Sequence, residues 1–142
     1  MRGGTIGWAE MSDKTIIQKF REIFTGPSPY LGRLQGATVC ADALACRGSK
    51  DHLYLYARIA DERIEDVKFE CGMCDPEMFV TADLLCRLIH GRRVSELAYV
   101  DWPAFSAALG FESDDMKAHF EGARRVLDAL VEHHWAGKPC EF

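Results

Sequence analysis

Basic residues are in the minority here. There are 17 Lys and Arg against 22 Asp and Glu, for a formal net charge of −5. Such a chain lacks the basic surface that displaces counterions from a phosphate backbone, which excludes sequence-independent nucleic-acid binding. Long hydrophobic runs are also missing. None approaches the roughly 20 residues a membrane-spanning helix needs, so no membrane association is expected. Residues 1–11 lack the apolar stretch of a signal peptide, and the expected location is cytoplasmic. No internal repeat, low-complexity tract or break in composition marks a second domain. Residues 1–142 are therefore expected to form a single domain, with a Gly-rich, frayed N-terminal segment over 1–12.

What is present is a globular composition, 48% hydrophobic and 27% charged, in a chain long enough to hold a core without disulfide staples. Thr15-Ile-Ile-Gln18 fits a capping box and predicts a first helix closed by Gly26 and Pro27. Residues 27–36 read as an irregular connection. From Ala37 the period becomes two. Ala37, Val39, Ala41, Ala43 and Ala45 share one face of a strand, and Thr38, Cys40, Asp42, Leu44 and Cys46 share the other. Leu53, Leu55, Ala57 and Ile59 mark a second strand, Asp61 and Glu62 a turn, and residues 63–70 a third strand. Ile64 is out of phase with Val67 and Phe69, which predicts a bulge.

The remainder reads as helix. Asp75 and Pro76 open one that Gly91 stops, Asp101 and Pro103 open a short one ending at Gly110, and Ser113 caps a long last one. The buried stripe of that last helix is Met116, Phe120, Ala123, Leu127, Leu130 and His134. A helix, three antiparallel strands and then helices predict an α+β fold, with helices packed on one face of a small sheet.

The most informative residues are six cysteines: Cys40, Cys46, Cys71, Cys74, Cys86 and Cys140. In a cytosolic chain they are expected to be metal-binding, catalytic or buried rather than disulfide-bonded. Cys71-Gly-Met-Cys74 closes the third strand and immediately precedes a helix N-terminus, whose positive end favours thiolate, the form that binds metal or attacks sulfur. A thioredoxin-like redox pair is a second reading, although three consecutive strands are not the βαβ setting of that motif. Cys86, beside Leu84, Leu85 and Leu88, reads as a small buried hydrophobe, and Cys140 as an exposed, incidental residue. His52 and His90 read as solvated, and His133 and His134 as favoured by the last helix's C-terminal dipole. His119 flanks the apolar stripe near the start of that helix.

Taken together this order resembles a divergent NifU N-terminal/IscU-like iron–sulfur cluster assembly scaffold, over about residues 15–131. Arg63-Ile-Glu-Asp-Val-Lys-Phe69 followed by Cys74 resembles the family's Ile-Glu-Asp-Ala-Lys-Phe strand and second cysteine. His90-Gly91-Arg92-Arg93-Val94 resembles its Lys-Gly-Lys-Ser-Leu step, and Ile16-Ile-Gln-Lys-Phe20 its opening helix. The family uses three cysteines and an aspartate around one exposed site. The second cysteine falls on Cys74, with Cys71 as an extra thiol. The first falls on Cys40 or Cys46. Gly36-Ala-Thr-Val-Cys40-Ala-Asp42 reproduces the family's Gly-Ala-x-x-Cys-x-Asp string, but Cys46 gives the better spacing to Phe20 and Leu53. The two are about 20 Å apart on a straight strand and do not both reach one metal. The third cysteine is missing: in Met116-Lys117-Ala118-His119-Phe120 its place falls on Phe120 in a direct match, or on His119 if Ala123, Val126 and Leu127 set the helix. On either alignment His119 is the residue able to complete the site.

The resemblance implies a scaffold or carrier that holds a labile 2Fe–2S cluster, or zinc, through Cys46 or Cys40, Cys71, Cys74 and His119. Thiolate and imidazole suit both metals. It also implies a cysteine desulfurase and acceptor apoproteins as partners. Glu112-Ser-Asp-Asp-Met-Lys117 replaces the family's Leu-Pro-Pro-Val-Lys chaperone-docking segment, which argues against an Hsp70-type chaperone. Two alternatives follow from the same residues: a zinc-bound persulfide acceptor, and a non-catalytic relative that binds zinc or a partner only.

Overall fold

A computed structural model describes residues 8–44 and 52–140. Helix α1 (Trp8–Thr25) leads into a three-stranded antiparallel sheet of β1 (Val39–Leu44), β2 (His52–Ala60) and β3 (Arg63–Gly72), in that spatial order. Helices α2 (Pro76–Ile89), α3 (Trp102–Leu109) and α4 (Asp114–Trp135) follow, with a 3₁₀ helix, Val94–Tyr99, between α2 and α3. The predicted α+β class and sheet are those observed. Helix α1 starts upstream of the Thr15 capping box, at Trp8, so that box lies inside the helix. The 3₁₀ helix was not predicted. Residues 91–94 first run alongside β3, with Gly91 N–H on the Ile64 carbonyl and Val94 N–H on that of Glu62. Backbone pairing with β3 therefore shapes this stretch.

The alternation read from the sequence gives the sheet its two faces. Val39, Ala41, Leu53, Leu55, Ala57, Val67 and Phe69 are buried on one of them, where α4 lies across β1 and β2 and α2 across β3. Helix α1 packs on α2, joined by edge-on contacts of Phe20 and Phe24 with Phe79. Asp61 and Glu62 turn the chain with positive φ (52° and 58°). The predicted bulge is present: Arg58 pairs with Asp66 but Ile59 with Ile64, leaving Glu65 as the extra residue.

The other face is not bare. Tyr56 is buried there and donates to Glu70, with the Arg33 guanidinium over its ring. The connection after α1 supplies that cover and also pairs with the free edge of β3, where Phe69 exchanges backbone hydrogen bonds with Tyr30 and Gly32.

The caps predicted for α2, α3 and α4 are those observed. Asp75 accepts from Met78 N–H, Asp101 from Ala104 N–H and Ser113 from Met116 N–H. Among the histidines, His134 leaves the predicted stripe to meet Glu62 at 2.8 Å. His52 and His90, read as solvated, are engaged as well. His52 lies 2.6 Å from Asp42, and His90 touches the Tyr30 hydroxyl and the Glu65 carbonyl. All three sit where strand or helix ends meet across the fold, contacts that local spacing does not reveal.

Candidate functional site

β3 ends by pairing Cys71 with Leu53 and Gly72 with His52, and α2 begins at Pro76. Between them Met73 takes a left-handed backbone (φ 58°), which reverses the chain within the four residues Cys71-Gly-Met-Cys74. The two cysteines are joined as a disulfide, with Cα atoms 5.7 Å apart. Both are half-buried against the edge of the core, while Gly72 and Met73 are exposed. Cys74 Sγ lies 3.9 Å from the His52 carbonyl oxygen, so this thiol position abuts the first residue of β2.

His119 enters the site from the first turns of α4. It is buried, and its Nε2 lies 3.1 Å from Asp75 Oδ2, on the residue directly after Cys74. Its Nδ1 lies 2.7 Å from the Asp115 carbonyl oxygen. A carbonyl only accepts, so Nδ1 carries a proton. Nε2 then either donates to Asp75 as imidazolium or, in the neutral ring, presents a lone pair. Burial pushes the imidazole pKa down, but the hydrogen bond to the Asp115 carbonyl and the bond and charge of Asp75 outweigh it, and the net shift is upward.

Asp75 and Glu77 complete this corner. One ligand atom each from Asp75, Glu77 and His119 lies within 4.8 Å of the others. Burial, reinforced by the Asp75 charge, raises the Glu77 carboxyl pKa above its ordinary value. The sequence reading took Asp75 only as a helix cap and did not single out Glu77. A cap residue next to a CxxC was the available signal, since its carboxylate is held beside the same helix start.

Because His119 has a raised pKa when folded, its pair with Asp75 contributes fully below the unfolded value of about 6.5 and is lost as pH rises through the folded value. Metal-free His119→Gln is therefore expected to be less stable than the parent protein by about 1–3 kcal/mol near pH 5.5. The gap should narrow near pH 8.5. Urea unfolding at both pH values checks this, and a gap that widens with pH contradicts the pairing.

The remaining candidates separate. Cys40 is on the face opposite Cys71: it pairs with Tyr56, whereas Cys71 pairs with the core residue Leu53. Two strand spacings and three residues along the strand put their Cα atoms roughly 14 Å apart, with side chains on opposite sides of the sheet. Cys40 is buried and forms a disulfide with Cys140. The expectation that the cysteines are not disulfide-bonded is thus corrected at two pairs, and Cys140 is not incidental. The cause is tertiary. His133 on α4 meets the Cys40 carbonyl at 3.0 Å, so the turn after α4 returns the C-terminal segment to β1. Asp42, which accompanied Cys40 in the resemblance, meets His52 instead. Cys86 is buried and free as expected, its thiol pKa pushed well up by burial. Cys46 lies outside the described residues.

Neither a family model nor a curated protein sequence matches this chain. Solved structures do. A candidate iron–sulfur cluster assembly scaffold protein for the SUF system, from thermophilic Fervidobacterium islandicum AW-1, aligns over 88% of this chain and 99% of its own, with 17% identity and a TM-score of 0.56. A hypothetical protein aligns over 89% of this chain and 88% of its own, at 17% identity and a TM-score of 0.52. The N-terminal part of a nitrogen-fixing NifU-like protein from Brucella abortus aligns over 89% and 87%, at 17% identity and 0.49. The fold of this chain is NifU/IscU-like.

Proposed function

We propose that this protein is a scaffold or carrier for iron–sulfur cluster assembly, holding a labile 2Fe–2S cluster as cargo at the end of the sheet where β3 meets α2. The observation that carries the reading is the meeting of His119 with the residue following Cys74. A helix distant in sequence thereby delivers an imidazole to the residue that follows the Cys71–Cys74 pair. Reduction of the Cys71–Cys74 bond frees two soft thiolates within four residues of Asp75, the partner of His119, and thiolate with imidazole is a donor set that suits both iron–sulfur clusters and zinc.

The register supports Cys46 as a further ligand. Leu44 pairs with His52, and His52 with Gly72, so the described residues Leu44 and His52 both lie at the end of the sheet where Cys71 lies. Cys46 is two residues past Leu44, within about 7 Å of it along an extended chain. The fold supports the scaffold reading as well, being shared with the Fervidobacterium protein described as a candidate scaffold. Partners on this reading are a cysteine desulfurase as sulfur donor and acceptor apoproteins as recipients. A cytoplasmic setting keeps Cys71 and Cys74 reduced between turnovers.

Reduced protein purified without oxygen and supplied with ferrous iron and sulfide is expected to turn brown and retain both. Cys46→Ala should lose more of that metal than Cys40→Ala. Colourless protein holding one zinc would favour the zinc-bound persulfide acceptor or a metal-binding relative without cluster chemistry. Loss of metal only in Cys40→Ala would move the site to the face that carries Asp42.

A further inference from the structure

We propose that Cys71 is a resolving thiol: it discharges the sulfane sulfur of a persulfide carried on Cys74 as sulfide, using the electrons of the two cysteines themselves. This rests on the sulfur-handling role proposed above and deepens it, because a cluster contains sulfur as sulfide whereas a persulfide donor delivers it two electrons more oxidised.

The geometry supplies what the step needs. The Cα separation of 5.7 Å is inside the range that a disulfide spans without backbone movement, and the two sulfurs are bonded in this structure. The left-handed Met73 holds the turn in a conformation costly for a residue with a side chain, and such strain persists where the surroundings over-determine it. Exposed Gly72 and Met73, the latter 76% accessible, leave the turn open to a donor. Of the two thiols, Cys74 adjoins the capped N-terminus of α2, whose dipole favours thiolate there. Cys71 is anchored in β3 opposite Leu53.

The reaction balances in two displacements. Cys74 thiolate attacks the outer sulfur of a donor persulfide, R–S–SH; the donor S–S bond breaks, R–S⁻ leaves and Cys74–S–SH forms. Cys71 thiolate then attacks Cys74 Sγ. The Cys71–Cys74 disulfide forms, the bond to the outer sulfur breaks and HS⁻ leaves with the electron pair. The sulfane sulfur gains two electrons and each cysteine sulfur loses one. An external dithiol reductant returns the pair to thiols. Sulfide is thereby released beside His119 and Asp75, at the corner proposed to gather iron.

The test uses the full, reduced protein with a chelator, no iron and one equivalent of glutathione persulfide. Excess small thiols are removed before sulfide is measured. The expected result is close to one sulfide per chain, with a new Cys71–Cys74 disulfide found by peptide mass mapping. In Cys71→Ser the sulfide yield should fall at least about tenfold, with the extra sulfur atom retained on Cys74. Undiminished sulfide from Cys71→Ser overturns the proposal. So does wild-type protein that keeps its persulfide, a result that needs no variant to fold. Because no metal is present, a protein that binds a cluster yet releases no sulfide loses only this step. One that releases sulfide yet binds no cluster loses only the scaffold reading.

Discussion

Cys140→Ser is expected to lower the melting temperature by roughly 10 °C under oxidising conditions. The Cys40–Cys140 bond closes a loop of 100 residues, and in the chain-entropy account such a crosslink removes about 3–5 kcal/mol of freedom from the unfolded state. For a chain near this length each kcal/mol moves the midpoint by a few degrees. Cys40 is already buried and α4 already meets β1 through His133, so the native state changes little when the bond is lost. Thermal unfolding of parent and variant, with and without a thiol reductant, checks the expectation. The difference should vanish in reductant, where both lack the crosslink. Equal midpoints under oxidising conditions would show that the bond does not form in solution.

Cys74→Ala is expected to reduce cluster or zinc loading at least tenfold, because the metal loses the thiolate at the centre of the proposed site. Cys86→Ala supplies the contrast. Cys86 is fully enclosed in α2 and burial raises its pKa, so removing it opens a small cavity, costs about 1 kcal/mol and leaves loading intact. The same contrast governs reactivity. In reduced protein a limiting alkylating reagent should modify Cys74 or Cys71 before Cys86. Bound metal counted after reconstitution, with peptide mapping of the alkylated thiols, decides both points. Loading that survives in Cys74→Ala places the site elsewhere.

Much of the scaffold was legible because its signals are local. The alternation of Leu53, Leu55 and Ala57 needs only the two-residue period of a strand. Asp75-Pro76, Asp101 and Ser113 each satisfy N–H groups within their own first turn. The out-of-phase Ile64 is a bulge because one extra residue, Glu65, inverts the alternation of a strand whose inner face is packed. The course of residues 91–94 into the 3₁₀ helix was not predicted, for the opposite reason. Their backbone bonds go to β3, and nothing in their own order reports that.

The site divides along the same line. Cys71 and Cys74 were readable as a pair because a helix start follows them, and His119 because its place in the last helix could be compared with a known pattern. From its own residues the sequence determined the α+β order of elements, the two faces of the sheet, the caps of α2, α3 and α4, and a buried Cys86. Tertiary structure alone decided that Asp75 turns its carboxylate to His119. It also put Cys40 on the far side of the sheet, bonded to Cys140. The physical reason is the range of the forces. Periodicity and capping act within a few residues and leave a trace in their order. Contacts such as Asp75 with His119, or Cys40 with Cys140, exist only because burying the inner face of the sheet under α2 and α4 brings distant segments together.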